Sequence, residues 1–350
     1  MLAQEYHARG RRKYLMIAAG AVLTLIAAYV FTTLGMKEAG PFQTVDAIAR
    51  YFDGTIAMGA DAAMNKIILL LRLPRVLLAL IAGAGLALAG ALMQSVTRNY
   101  LVSPFTLGIS SAAALGASLC IVFAAGTALD SDLGIIGAAF LLSCACGVIV
   151  YGIAQRSGLS PTTIVLVGIA LNYFFSALTA TLEFFAQEHK LAAVIQWTFG
   201  SLHRASWEYV AIGGVVVAAG LAAALIYALP LNVMAVSDDE TARSLGVNPA
   251  RLRTIAGLVA VFMTATIISF TGVIGFVGLI APHMARFLIG TDHRFYLPFT
   301  ALLGAALLLV SDTVGRLILY PVTIPVGIVI SFLGVPLFIH LILRGGRTST

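Results

Sequence analysis

The chain has 350 residues, 60% of them hydrophobic and only 10% charged, and its mean hydropathy is +1.00. A soluble domain carries about 25% charged residues, so the composition excludes a soluble globular protein and describes one polytopic membrane domain over 1–350. The net charge of +6 does not indicate nucleic acid, because the basic residues stand at the ends of apolar segments.

Arg11-Arg12-Lys13 precede an apolar run from Tyr14 to Gly35. That run exceeds a signal-peptide core of about 7–15 residues and reads as an uncleaved first span behind a cytoplasmic tail, 1–13. A spanning helix needs about 20 mostly apolar residues. Ten candidates follow in order, near 14–35, 73–97, 105–129, 133–154, 162–182, 209–230, 254–271, 273–289, 296–315 and 325–343. Between the first two, Thr44–Phe52 reads as a short surface helix, with Asp46 and Arg50 at i, i+4. In the second span Gly83, Ala87 and Ala91 step by four, as do Gly85 and Ala89, which predicts close helix approach in lipid. Cys120, Cys144 and Cys146 lie in apolar tracts and read as small core residues rather than a metal or redox site.

Farther along, the uncharged stretch 254–285 is too long for one span. Gly272 and Gly275 permit a tight turn, and the division is placed there. With the N-terminus inside, inner segments hold 13 of the 21 basic residues and outer segments 8. That bias places both termini, and a tail at 344–350, in the cytoplasm. Merging the two spans at 272 would move Arg286 and Arg294 outside.

One polar island interrupts the apolar chain, Ser237–Val247. Ser237 and Glu240 have capping-box spacing, Asp238 and Asp239 stand at the positive end of the dipole, and Gly246 sits where a helix stops. Leu245 is an apolar residue on an otherwise polar helix. A small capped helix on the face of a membrane bundle is a docking element, so the chain reads as one subunit of a larger machine. None of Lys13, Lys37, Lys66 and Lys190 follows a glycine, so a phosphate-binding Walker loop cannot be written and any ATP would be held by another subunit. A secondary transporter usually needs ionisable groups at mid-membrane. Here Glu183, Asp312, His283 and His340 lie near span ends and read as anchors. A lipid-phosphate enzyme could use Asp238-Asp239-Glu240 as a Mg²⁺ site, but no second acidic cluster faces the cytoplasm.

Several stretches agree with one family. They are Arg72-Leu73-Pro74-Arg75-Val76; Gly83 to Ala91, then Gln94, Arg98 and Asn99; Ser103-Pro104; and Leu107 to Gly116. Later come Gly168 to Asn172, Trp197 to Leu202, Gly275 to Arg286, Asp292-His293-Arg294 and Pro325 to Val329. From about 70 to 344 the chain resembles the permease subunit of bacterial ABC importers for ferric siderophores, haem and cobalamin.

The resemblance implies an all-α polytopic fold with about ten transmembrane helices, the type II ABC importer permease architecture. It implies no catalytic residue and no cofactor. The implied partners are two cytoplasmic ABC ATPase subunits, a second permease subunit (the same or homologous), an extracytoplasmic substrate-binding protein and the lipid of a bacterial cytoplasmic (inner) membrane. Asp238, Glu240, Arg243, Leu245 and Gly246 would contact the ATPase. Arg72, Arg75 and Arg316 would receive carboxylates of the binding protein, although Arg75 could instead pair with Asp312 in its own bundle. Ser160, Pro161 and Thr162 would form the cytoplasmic gate, Pro161 standing where relatives often carry a small polar residue. The expected cargo is a ferric siderophore, with haem and cobalamin as alternatives.

Overall fold

The computed structural model describes residues 2–34, 42–53, 62–124, 126–127 and 129–345. Among them there are fifteen α-helices and no strand. α1 (Leu2–Thr33) leads to a short α2 (Gln43–Phe52) and α3 (Ala62–Ile67). A π-helical turn, Ile68–Arg72, then feeds α4 (Leu73–Thr97), which has Pro74 in its first turn, where a missing N–H costs nothing. α5 (Ile109–Phe123), α6 (Asp132–Gln155) and α7 (Pro161–Phe185) follow, then a short α8 (Glu188–Thr198) and α9 (Trp207–Ile226). α10 (Ala228–Val236) and α11 (Asp239–Ser244) lead into α12 (Pro249–Thr271). The last three are α13 (Val277–Ile289), α14 (His293–Leu317) and α15 (Val326–Gly345).

Each of the ten expected spans has its helix. Seven are long and apolar enough to cross a membrane by themselves, and three shorter apolar helices, 109–123, 277–289 and 326–340, supply the rest. The expected short helix near 44–52 is α2, and Arg50 Nε reaches Asp46 Oδ2 at 2.7 Å. The tail expected at 1–13 is helical from Leu2 and continuous with the first span. Residues 346–350 of the C-terminal tail lie outside the described residues.

α4 is the axis of the bundle. In its span window 78% of residues are buried, against 17% for α1. It packs most closely on α14, and the small-residue stripe is the reason. A Cβ at Gly83 would overlap the Gly304 carbonyl of α14, and one at Gly90 would overlap the Gly278 carbonyl of α13. Gly85 faces Ile267 and Val217 on α12 and α9. Small residues let helix backbones touch where lipid provides no hydrophobic drive to associate. α1, α6, α7 and α9 form the outer ring and expose rows of Leu, Val and Phe.

Two boundaries and one burial reading differ from the sequence reading. Ser103–Gly108 is a turn, not helix, and Gly108 takes φ +78° before α5 starts at Ile109. The division after α12 falls at Gly272 as expected (φ +70°), but 272–276 is a non-helical crossing rather than a tight turn. It threads beside 197–201, where Ser201 N–H donates to Thr271 O at 2.7 Å. Among the cysteines only Cys146 is buried; Cys120 on α5 and Cys144 on α6 are half-exposed.

Candidate functional site at the two ends of the bundle

α4 has 25 residues, about 37 Å at 1.5 Å per residue. That exceeds the ~30 Å hydrocarbon core of a bilayer, so groups at its two ends face opposite sides. Arg98 at its C-terminal end pairs with Asp239 of α11 at 3.0 Å. Arg75 at its N-terminal end pairs with Asp312 of α14. The polar helix and the outer arginines are therefore on opposite sides. Tyr14 of α1 stacks edge-on against Phe295 at the start of α14, 4.9 Å between centroids. α15 starts beside the other end of α14, where Ile324 N–H donates to Gly315 O at 2.9 Å. The N-terminal part of α1 and the C-terminal part of α15 thus lie on the α11 side.

α11 is capped one residue later than the capping-box reading places it. Asp238, not Ser237, accepts from Thr241 N–H, at 2.8 Å. Ser237 instead turns its hydroxyl backward, donating to Val233 O at 2.7 Å and closing α10. The exit is a Schellman motif. Val247 N–H donates to Ala242 O (2.9 Å), Gly246 N–H donates to Arg243 O (3.0 Å), and Gly246 takes φ +83°. Glu240, Arg243 and Gly246 are exposed, and Leu245 is 64% exposed, an apolar side chain presented to solvent.

Asp239 was read as a dipole residue, and it does more than that. Arg253 of α12 grips it with two bonds, Nη1 to Oδ2 at 2.6 Å and Nη2 to Oδ1 at 2.8 Å. These bonds, chiefly, hold its carboxyl below the usual carboxylate range, against the opposing effect of burial. Arg253 is 1% exposed. Nothing local in the sequence signals this pair, because its members are fourteen residues apart on different helices. The one available sign was an arginine entering an apolar span without an acidic neighbour.

At the other end, the alternative pairing of Arg75 is the one observed. Arg75 Nη2 and Nε both reach Asp312, at 2.8 and 3.0 Å. Arg316, the other expected docking residue on α14, is buried: its Nε reaches Asp312 at 3.1 Å and its Nη2 leans toward Phe31 O and Thr313 Oγ1. One turn of α14 puts residues 312 and 316 on one face, so Arg316 shares the carboxylate that Arg75 holds. Arg72 is half-buried and donates to Leu34 O at 2.9 Å. Arg72 and Arg316 thus both cover carbonyls at the C-terminal end of α1, where the helix dipole is negative. The three arginines line a cavity of about 260 Å³ together with His203, which the sequence reading did not single out. Burial, then Arg75, pushes the His203 imidazole below its usual range. Asp312 balances one of the three arginine charges, and the Arg316 Nη1 nitrogen is buried without an acceptor among the described residues.

Pro161 opens α7 as its first residue, with Ser160 as N-cap. Leu159 and Gly158 before it turn with φ +59° and +68°. Ser160 and Pro161 are half-buried and Thr162 is exposed. Tyr151, near the end of α6, packs against Gly257 in the first half of α12, which places this turn at the α11 end.

Between these ends lies an apolar cavity of about 700 Å³, walled by Phe105, Phe199, Phe276 and Phe332 with Thr198 and Ser331. The non-helical crossings at 199–200 and 272–276 line it. Irregular backbone at membrane depth is tolerated where it is packed in protein or borders a cavity. Three glycines permit the crossing: a Cβ at Gly200, Gly272 or Gly327 would overlap the carbonyl of Val273, Trp197 or Phe199.

An axis of close-packed helices, a capped polar helix on one face and a basic cavity on the other define a helical transport permease. The chain belongs to the FecCD transport family, which it matches over residues 22–344. It is 34% identical over 339 residues to the iron(3+)-hydroxamate import system permease of Bacillus subtilis, covering 94% of this chain and 97% of that one. It is 38% identical over 284 residues to the hemin transport system permease of Yersinia pestis, covering 81% and 84%. Among solved structures it superposes with TM-score 0.82 and 30% identity on a metal-chelate type ABC transporter in an inward-facing conformation, covering 94% of this chain and 99% of that one. As in its family, the chain is a transport component and not an enzyme.

Proposed function

We propose that this chain is the membrane-spanning subunit of an ATP-driven importer of an iron chelate, a ferric siderophore in the first instance. The observation that carries the reading is the opposition of the two polar ends across α4. The exposed α11, with Leu245 as apolar anchor, meets an ATPase in the cytoplasm, and the two chain termini lie on that side. The arginine cavity meets an extracytoplasmic binding protein. Of its residues, Arg72 takes the carboxylate in this reading, which the engagement of Arg75 and Arg316 with Asp312 supports. Two copies, or this chain and a homologue, enclose the pathway, with Ser160–Thr162 at its inner end and the apolar cavity in its wall. ATP binding in the partner subunits sets the access state through differential contacts.

Hydroxamate and haem importers among the relatives share this scaffold, and an apolar wall makes few selective contacts, so the binding protein sets the cargo. The test is ATP hydrolysis by the assembled complex in lipid, with the binding protein loaded in turn with a ferric hydroxamate, haem or cobalamin. Stimulation by the iron chelate alone is expected. Stimulation by haem or cobalamin alone reassigns the cargo, and no stimulation by any of the three overturns the importer reading.

A further inference from the structure

We infer that Asp239 is the positioning residue through which movement of α11 reaches the membrane core, a single carboxylate joining α11 to α4 and α12 together. This rests on the reading of α11 as the ATPase-facing helix and goes beyond it by naming the mechanical link.

The geometry is a three-way clamp. Arg253 opens toward Asp239 from the second turn of α12 and donates its Nε to Val96 O, near the end of α4, at 3.1 Å. Arg98, the left-handed C-cap of α4 (φ +50°), pairs with the same carboxylate and donates its Nε to Met234 O of α10 at 2.8 Å. Both guanidiniums therefore hold backbone carbonyls with one edge and Asp239 with another. A planar fork with fixed donors suits this work, because moving the carboxylate rotates the whole plane and tugs the carbonyls with it.

The rest of α11 is loosely held. Its other polar side chains turn inward or outward: Asp238 caps the helix itself, Ser244 bonds Thr241 O, and Glu240 and Arg243 face solvent. Among the described residues no other α11 side chain forms a hydrogen bond or ion pair beyond α11. Ala242 alone is buried. The chain leaves α11 through Gly246, where no atom lies within 4 Å of a built Cβ. A push on α11 thus has two routes inward, the backbone at its two ends and the Asp239 clamp, and the clamp is the one that reaches α4 and α12 directly through side chains. It ends on α4, the most enveloped helix, and on α12, whose far end carries the crossing beside the apolar cavity.

The test uses the full complex in proteoliposomes with its ATPase and loaded binding protein, comparing Asp239→Asn, Asp239→Glu and Arg98→Met with the unaltered chain. Two ratios are read per assembled complex: stimulation of ATP hydrolysis by the binding protein, and cargo imported per ATP hydrolysed. Asp239→Asn keeps the side-chain shape and removes the charge, and should lower both ratios at least tenfold. Asp239→Glu keeps the charge and should recover part of the loss, and Arg98→Met, which spares the buried Arg253 pair, should lower both ratios severalfold. Unchanged ratios in Asp239→Asn or, should that variant not assemble, in Arg98→Met, overturn the inference. So does a loss of activity that follows only the amount of complex, since a merely structural residue changes yield and leaves the ratios alone. Failure of Arg243→Cys, made in an otherwise unaltered complex, to crosslink to the ATPase refutes the underlying reading of α11 instead, so the two failures are separable.

Discussion

Replacing Gly246 isolates one backbone angle. At φ +83° an L-residue pays the left-handed penalty of about 1–2 kcal/mol, and a β-branched one more. No atom lies within 4 Å of a Cβ built there, so the penalty is conformational and not a clash within this chain. About 1.4 kcal/mol is tenfold in an equilibrium, so alanine should reduce the correctly capped α11 exit by about five- to thirtyfold relative to its alternatives. Asparagine tolerates the left-handed region and should lose much less. The assay is ATP-dependent uptake and binding-protein-stimulated hydrolysis in proteoliposomes, with membrane insertion checked separately. The expected order is Gly246, then Gly246→Asn, Gly246→Ala and Gly246→Val, with insertion unchanged throughout. Asparagine as damaging as valine would refute the backbone argument and point to a steric contact with the ATPase. Wild-type transport by Gly246→Val would remove any need for the Schellman exit.

Gly90→Ala should lower the thermal midpoint of the detergent-purified chain by several degrees. It forces α4 from the Gly278 carbonyl at an overpacking cost of about 1–3 kcal/mol, whereas Gly137→Ala, with nothing within 4 Å, should be neutral or slightly stabilising; equal effects would contradict the packing account. Arg72→Glu should weaken docking of the binding protein and make the residual affinity less sensitive to salt, and an unchanged affinity and salt slope would make Arg72 an ordinary helix-end anchor. Arg316→Glu is not an equivalent test, because it would bury a second acid beside Asp312 and should reduce folded yield. Cysteine at 162 should crosslink between two permease subunits in at least one nucleotide state, and its failure in every state would leave Pro161 a helix-start residue only.

The membrane architecture is legible in the sequence because lipid imposes strong local rules. Apolar length gave α4, α6, α7 and α9, Pro74 and Pro161 marked helix starts, and the four-residue step from Gly83 marked the tight interface with α14. Where packing overrides local pattern, the sequence is silent. Phe105, Thr106 and Leu107 are apolar enough for a span yet turn, because Ser103 and Thr106 satisfy each other's backbone in a closed loop. The cap of α11 moved from Ser237 to Asp238 through a bond that Ser237 makes backward, an equally local choice that spacing does not rank. The outer arginines look alike in sequence. Only the approach of α1 and α14 separates Arg72, half-open to the cavity, from Arg316, buried on Asp312. Asp239 and Arg253 meet only once α11 folds back under α12.

The central claim is that this chain forms an import path driven by ATP held in another subunit. The most direct measurement is accumulation of iron chelate by proteoliposomes containing the chain and its ATPase, with loaded binding protein outside and nucleotide inside. The account predicts accumulation that needs enclosed ATP, needs the binding protein and persists when proton and sodium gradients are collapsed. Accumulation without the ATPase subunit, driven by either gradient, would contradict it and identify a secondary transporter.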